Sequence, residues 1–464
     1  MNFWDYSIWT SLIQIGVILV SILIGNTIRR KVKFIKNSLL PASVIGGILI
    51  FILKFIPIVN EFIDSKFMET ITYHCLGLGF IALSLKSAVK TKDDNKLVVL
   101  DSGIITVNGY LIQAIVGLGI TILLSVTIMP KLFPAAGLLL PMGFGQGTGQ
   151  ALNIGKIYEG LGFTNGTSFG LAIAAIGFLV ACIVGVIYMN VLKKKHKLDL
   201  QLARKDKNNQ MTSTIYAEDE APLNESVDKL TMQIAFIVLV YIFTYLVILG
   251  LSTLSENFLG NFGVNTVKPL LWGFNFLFGS LFAILLKKVI LYLRKAKLMR
   301  HTYLNDYYMN RLSGFFFDIM IVSGIAAIDW QNLEGLLIPL IIICALGAIV
   351  TFTYIRFVCK KIYPNYENEA FFSIFGMLTG TASTGMILLR EIDPNFETPA
   401  ADNLVLQQLP AIIFGAPLLL LVGFAGKSIE NSLIIFVVVI IMFIVYNILL
   451  LRKSIFKKKN KKVA

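Results

Sequence analysis

Apolar stretches long enough to cross a bilayer follow one another from residue 8 to residue 451, separated by short clusters of charge. A helix spans the hydrocarbon core with about 17–25 predominantly apolar residues. Eleven segments fit: 8–28, 39–58, 69–85, 97–128, 168–192, 232–254, 266–288, 311–328, 336–358, 403–424 and 430–451. The pattern predicts an all-α polytopic membrane protein, because only helices and closed barrels pair every backbone polar group in lipid. Two further segments, 135–160 and 370–389, break the pattern with glycine and polar residues in their middles.

Charge orients the segments. The first ends in RRKVK at 29–33, and the lysine and arginine excess of cytoplasmic loops places that end inside and the N-terminus outside. Spans 39–58, 69–85 and 97–128 then put Lys86, Lys90 and Lys92 inside, and 168–192 runs inward to KKKHK at 193–197. Segment 135–160 therefore begins and ends outside, as a re-entrant hairpin or a pair of very short crossings. The second half mirrors this. With the basic stretches at 287–297 and 359–361 inside, segment 370–389 begins and ends inside, and the tail RKSIFKKKNKK is cytoplasmic. No basic region and no small-residue cleavage site accompany the first apolar stretch, which is expected to be a span of a multi-pass inner (cytoplasmic) membrane protein and not a removed signal.

Composition agrees: 56% of the 464 residues are hydrophobic and 15% charged. The formal charge of +14 sits at segment ends, where it anchors helices in lipid and does not point to nucleic acid. Cys75, Cys182, Cys344 and Cys359 show no CxxC spacing, and His74, His196 and His301 are scattered, so neither a disulfide framework nor a metal site is indicated. No nucleotide-binding fingerprint, nucleophilic triad or acid pair is present. We expect no enzyme, no catalytic residue and no cofactor.

Residues 193–229 carry eight Lys/Arg and seven Asp/Glu with few apolar positions, the composition of a cytoplasmic linker. It divides a first membrane repeat, 1–192, from a second, 230–425; residues 426–464 add one span and the basic tail. LLPASVIGGILIFILK at 39–54 corresponds to VKPLLWGFNFLFGSLFAILLK at 267–287. GFGQGTGQ at 143–150 corresponds weakly to GMLTGTASTG at 376–385, each polar stretch lying two spans further on. The first copy starts outside and the second from the cytoplasm, so the repeats are inverted.

Irregular backbone at membrane depth is tolerated only where protein encloses it or water reaches it. Such a break supplies free donors and acceptors to a solute. The substrate-binding candidates are Gly145, Gln146, Gly147, Thr148, Gly149 and Gln150 in the first stretch, and Thr379, Gly380, Thr381, Ser383 and Thr384 in the second. Tips approaching from opposite faces would meet near the midplane. Exposed N–H groups at helix starts favour an anion, while carbonyl and hydroxyl oxygens suit sodium. Close packing through small residues is the bland alternative and accounts for the glycines, though not for the amides and hydroxyls.

Charged and amide residues inside spans add ion-coupling candidates. Asp318, inside SGFFFDIMIVSG, suits a sodium ligand, a proton carrier or a structural pair. Asn153, Asn108 and Asn275 are further candidates, with Asp101 beside Asn108 in LDSGIITVNG. Arg356 is expected to snorkel to the cytoplasmic edge; Arg390 suits anchoring or the attraction of an anion. Gln407, Gln408 and Pro410 offer a kink and two amides early in their span.

LLPASVIGGIL at 39–49, GFGQGTGQALN followed by YEGLGFTNGTSFGLAIAAIGFLVACIVG at 158–185, and FSIFGMLTGTASTG at 372–385 together resemble the bacterial sodium/glutamate symporter family, over most of residues 8–425. The resemblance implies import of glutamate with sodium as coupling ion, inverted repeats, re-entrant segments, a homodimer and an elevator-like movement of a substrate-carrying domain. The family commonly has GGHGTG where this chain has GFGQGTG, placing Gln146 at a histidine-like position, and GLGATPTA where it has GMLTGTAST. The substrate class therefore extends to related anionic amino acids or carboxylates. Partners are a small anionic solute, sodium and lipid. A channel, a proton-coupled carboxylate transporter and a non-transporting structural or sensory module are the alternative readings.

Overall fold

The computed structural model describes residues 3–33, 35, 39–86, 96–194, 223–298, 304–393, 398–426 and 428–452. Among them there is no strand, and nine helices are long and apolar enough to cross a membrane. In chain order the helices are α1 (Tyr6–Lys31), α2 (Ala42–Leu53), α3 (Pro57–Phe62), α4 (Ser65–Leu85), α5 (Lys96–Val126), α6 (Thr148–Gly160) and α7 (Gly166–Lys194). The second half contributes α8 (Leu223–Phe262), α9 (Lys268–Gly273), α10 (Asn275–Lys295), α11 (Asp306–Ala326), α12 (Leu337–Ile362), α13 (Glu367–Thr379), α14 (Ala382–Arg390), α15 (Ala400–Leu406), α16 (Gln408–Ala425) and α17 (Ile429–Leu450). Most of the expected linker and basic tail lies outside the described residues; the linker's end, from Leu223, already belongs to α8.

Two of the eleven expected spans form shorter helices. Segment 39–58 forms the 12 residues of α2, about 18 Å at 1.5 Å per residue, and then breaks before the start of α3 at Pro57. Ile56, ahead of that proline, is extended. The C-cap residue of α2, Lys54, a lysine only 2% exposed, donates to Ser65 Oγ (2.9 Å) and to the carbonyls of Ala326 (3.1 Å) and Ile328 (3.0 Å). All three donors are satisfied, which is the condition for burying such a group. Segment 403–424 is divided into α15 and α16 around Gln407, just ahead of Pro410, whose missing N–H cannot continue the helical ladder. A comparable break at Phe274 separates α9 from α10.

Packing sorts the helices into two bundles, and each draws on both halves of the chain. In one, α4 and α11 pack along each other, α2 lies on α1 and α11, and α10 lies on α4 with α8 outside it. The other is built around α5, which touches α12, α16 and α17, together with α7 and the two interrupted segments. Contact between the bundles runs mainly through α6, which meets α4, α9 and α11. Large apolar side chains left exposed on α1, α8 and α17 form the outer surface, as a lipid-facing helix requires.

Candidate functional site

Both interrupted segments fold as hairpins. The first comprises a 3₁₀ turn over Pro134–Leu138, a π turn over Pro141–Gly145, and α6. Its arms run in opposite directions along α7, Gly143 against Ile173 on one arm and Ala151 against Gly170 on the other. Its ends close together, the Phe133 ring lying 5.1 Å from that of Tyr158. In the second, α13 and α14 are the arms, crossing where Gly376 meets Gly385.

The tips are where the sequence places its weakest helix formers. Gly147 has φ +81°, a conformation that side-chain-bearing residues rarely adopt, and it turns the chain into α6 with no side-chain cap. In the second hairpin the chain leaves helical geometry at Gly380 and re-enters it through Thr381, whose hydroxyl caps α14 by accepting from the Thr384 N–H (3.4 Å). The tips meet. A methyl group on Gly147 would lie 3.6 Å from Thr381 Cγ2 and 3.8 Å from the Gly380 carbonyl oxygen. Gly177 of α7 lies in the crevice beside both, against Phe144 and the Thr379 carbonyl.

Gln146 and Thr381 are half-buried, while Gly145, Gly147, Thr148, Gly149, Gln150, Thr379, Gly380 and Thr384 are buried. The side chain of Ser383 is outside the described residues. Gln150, 1% exposed, has no hydrogen-bond partner on either amide atom. Thr148 donates to the Met320 carbonyl of α11 (3.3 Å) and lies against Gly324. Thr379 donates back to the Phe375 carbonyl of its own helix (2.8 Å).

The four ion-coupling candidates do not converge. Asn153 donates to the Gly273 carbonyl at the α9–α10 break (2.6 Å), and Asn275, just beyond that break, donates to the Tyr241 hydroxyl (3.3 Å). Asn108 lies beside Tyr354, whose hydroxyl donates to Asn447 of α17 (2.9 Å). Asp318 is exposed beside Ser43, two residues from Met320 and so on another side of α11 from the contact with Thr148. The weaker candidates are structural pairs. Asp101 pairs with Arg452 (2.8 Å), Arg356 with Glu367 (2.8 Å) at the base of the second hairpin, and Gln407 accepts from Thr106 (3.0 Å). Arg356 thus holds a hairpin arm where snorkelling was expected.

Sequence reasoning missed Gln113. It donates to the Leu378 carbonyl (2.8 Å) and Thr351 (3.0 Å) and lies against Gly145, which ties both tips to α5 and α12. The signal was available: Gln113 is an amide inside an apolar span, as Asn108 is. Thr72 and Ser323, whose hydroxyls are 2.9 Å apart between α4 and α11, were missed because single hydroxyls in apolar helices are ordinary packing residues.

Two helix starts and two interrupted carbonyl ends meet at one buried point, carried by helices long and apolar enough to span a membrane, which is the arrangement of a membrane transporter. The family model described as sodium/glutamate symporter matches residues 7–398, and the chain belongs to that family. No curated protein matches it by sequence.

Proposed function

We propose that the protein is a sodium-coupled symporter that imports glutamate or a closely related acidic amino acid across the cytoplasmic membrane, with its N-terminus outside and C-terminus inside, as a homodimer. The observation that carries this reading is the apposition of the two hairpin tips, Gly147 against Gly380 and Thr381, with the unpartnered Gln150 amide one turn behind. Each tip presents the start of its second arm, where first-turn N–H groups and the helix dipole favour a carboxylate. Each also presents the carbonyl end of its first arm, which suits a sodium ion. A solute and an ion of opposite charge, bound at one point, neutralise each other.

The division into two bundles supports an elevator-like step. The hairpin bundle holds both tips and meets its neighbour mainly through α6. Sliding one bundle past the other carries the tips across without dismantling either core. Coupling follows when the empty and the fully loaded carrier cross readily and the half-loaded one does not.

Uptake of labelled glutamate into proteoliposomes, with and without an inward sodium gradient and with the membrane potential clamped, tests the reading. Accumulation that requires sodium and collapses with its gradient is the expected result. Uptake driven equally by a proton gradient would transfer the coupling to protons, and flux that never exceeds equilibration would replace the symporter with a channel.

A further inference from the structure

Away from the tips, a cavity of about 340 Å³ opens between the two bundles, with Glu69, Tyr73, Asn153, Lys156, Trp272 and Gly273 in its lining. Small-molecule pockets begin at about 300 Å³, so the space suits a solute of amino-acid size. Its walls come from α4 and α9 on one side and from α6 on the other. Lys156 Nζ lies 2.8 Å from Glu69 Oε2 and 3.4 Å from Glu159 Oε2, with the lysine side chain 49% and that of Glu69 18% exposed. Deeper in, Asn153 donates to the Gly273 carbonyl and the Tyr73 hydroxyl to the Trp272 carbonyl (2.8 Å). Asn153, in the cavity lining, is one helical turn from Gln150 on α6, the arm that starts at the tip.

A pocket with charge of one sign selects a simple ion. Here a cation on the hairpin bundle and a carboxylate on its neighbour meet as an ion pair in the lining of the same cavity. A simple anion drawn to Lys156 would leave Glu69 without its partner, and a simple cation drawn to Glu69 would leave Lys156 without its nearest one. A ligand with both signs satisfies both.

We propose that this cavity is a vestibular site for a zwitterionic dicarboxylic amino acid, whose ammonium pairs with Glu69 and one of whose carboxylates pairs with Lys156 in place of the ion pair between the bundles. The inference rests on the reading of the solute as an acidic amino acid. Occupation would part the one ion pair that joins α6 to α4 among the described residues, freeing the hairpin bundle as the solute moves on toward Gln150.

Uptake kinetics in proteoliposomes separate this role from that of a latch. Glu69→Gln and Lys156→Gln are each expected to raise KM for glutamate about fivefold, the scale of a partly exposed ion pair. Glutarate, which keeps both carboxylates and lacks the ammonium, identifies each partner as a competitor. Its inhibition weakens in Lys156→Gln and strengthens in Glu69→Gln, where the Glu69 carboxylate no longer competes for Lys156. Unaltered KM in both variants, with wild-type uptake intact and melting temperatures matched, overturns the vestibular site and leaves a latch whose loss alters kcat alone. Wild-type protein that neither binds nor takes up glutamate overturns the functional reading and this inference together.

Discussion

The two hairpins are built alike and finished differently. Each is a helix, a break at glycine and a second helix that starts at the tip. In the second, the hydroxyls serve the fold: Thr379 bonds the Phe375 carbonyl, Thr381 caps α14, and the arms are held within their own bundle by Gln113 and Arg356. In the first, Gln150 is buried with both amide atoms unpartnered, and α6 carries contacts to the other bundle. A buried polar group without a partner costs about 1–3 kcal/mol. On the proposed function the difference divides the work: we expect the second hairpin to shape the site and the first, which meets the other bundle, to bind the solute.

The crevice that holds both tips should be the most sensitive place. Gly177→Val puts side-chain atoms against Phe144 and the Thr379 carbonyl together, and overpacking of this kind costs about 1–3 kcal/mol. We expect a lower melting temperature in detergent and at least a tenfold loss of uptake. Wild-type melting and uptake would mean that the tips are not held in contact.

Gln150→Leu divides stability from function. Removing the unpartnered amide should raise stability by about 1 kcal/mol and lower kcat/KM about thirtyfold, close to 2 kcal/mol of solute binding. Loss of both stability and uptake would instead mark Gln150 as a structural residue, and the contrast between the hairpins would fall.

Much of this was legible in the sequence because its causes are local. Apolar length gave the long helices, and Gly147 with its polar neighbours gave the first break. What escaped was set by distant partners. Lys54 is buried because carbonyls some 270 residues away accept from it, which no window around residue 54 contains. Asp318 drew attention because a carboxylate inside a span is costly, but the rotation of α11 against α2 decides its surroundings, and it sits beside Ser43. The sorting of helices into two bundles cuts across chain order, with α4 against α11 and α5 against α12, and periodicity holds no information about it.

Thr381 stands between the extremes. Thr381→Val removes the α14 cap, worth about 1 kcal/mol, at a half-buried position beside Gly147. Uptake should fall about fivefold and return in Thr381→Ser, which keeps the hydroxyl. Failure of serine to restore it would assign the effect to methyl packing against the opposite tip.

The smallest effect is the most discriminating. Thr379 was a binding candidate on the same grounds as Thr148, a hydroxyl within a glycine-rich break. Its side chain is fully buried and bonds a carbonyl in the preceding turn, which the helical ladder already engages. Thr379→Val keeps the shape and removes only that bond, so stability should move by no more than about 0.5 kcal/mol and kcat/KM by no more than about twofold. A loss of tenfold or more, with melting unaltered, would place this hydroxyl on the solute or the sodium ion. The second hairpin would then read the ligand as the first does, and the division of labour between them would have to be abandoned.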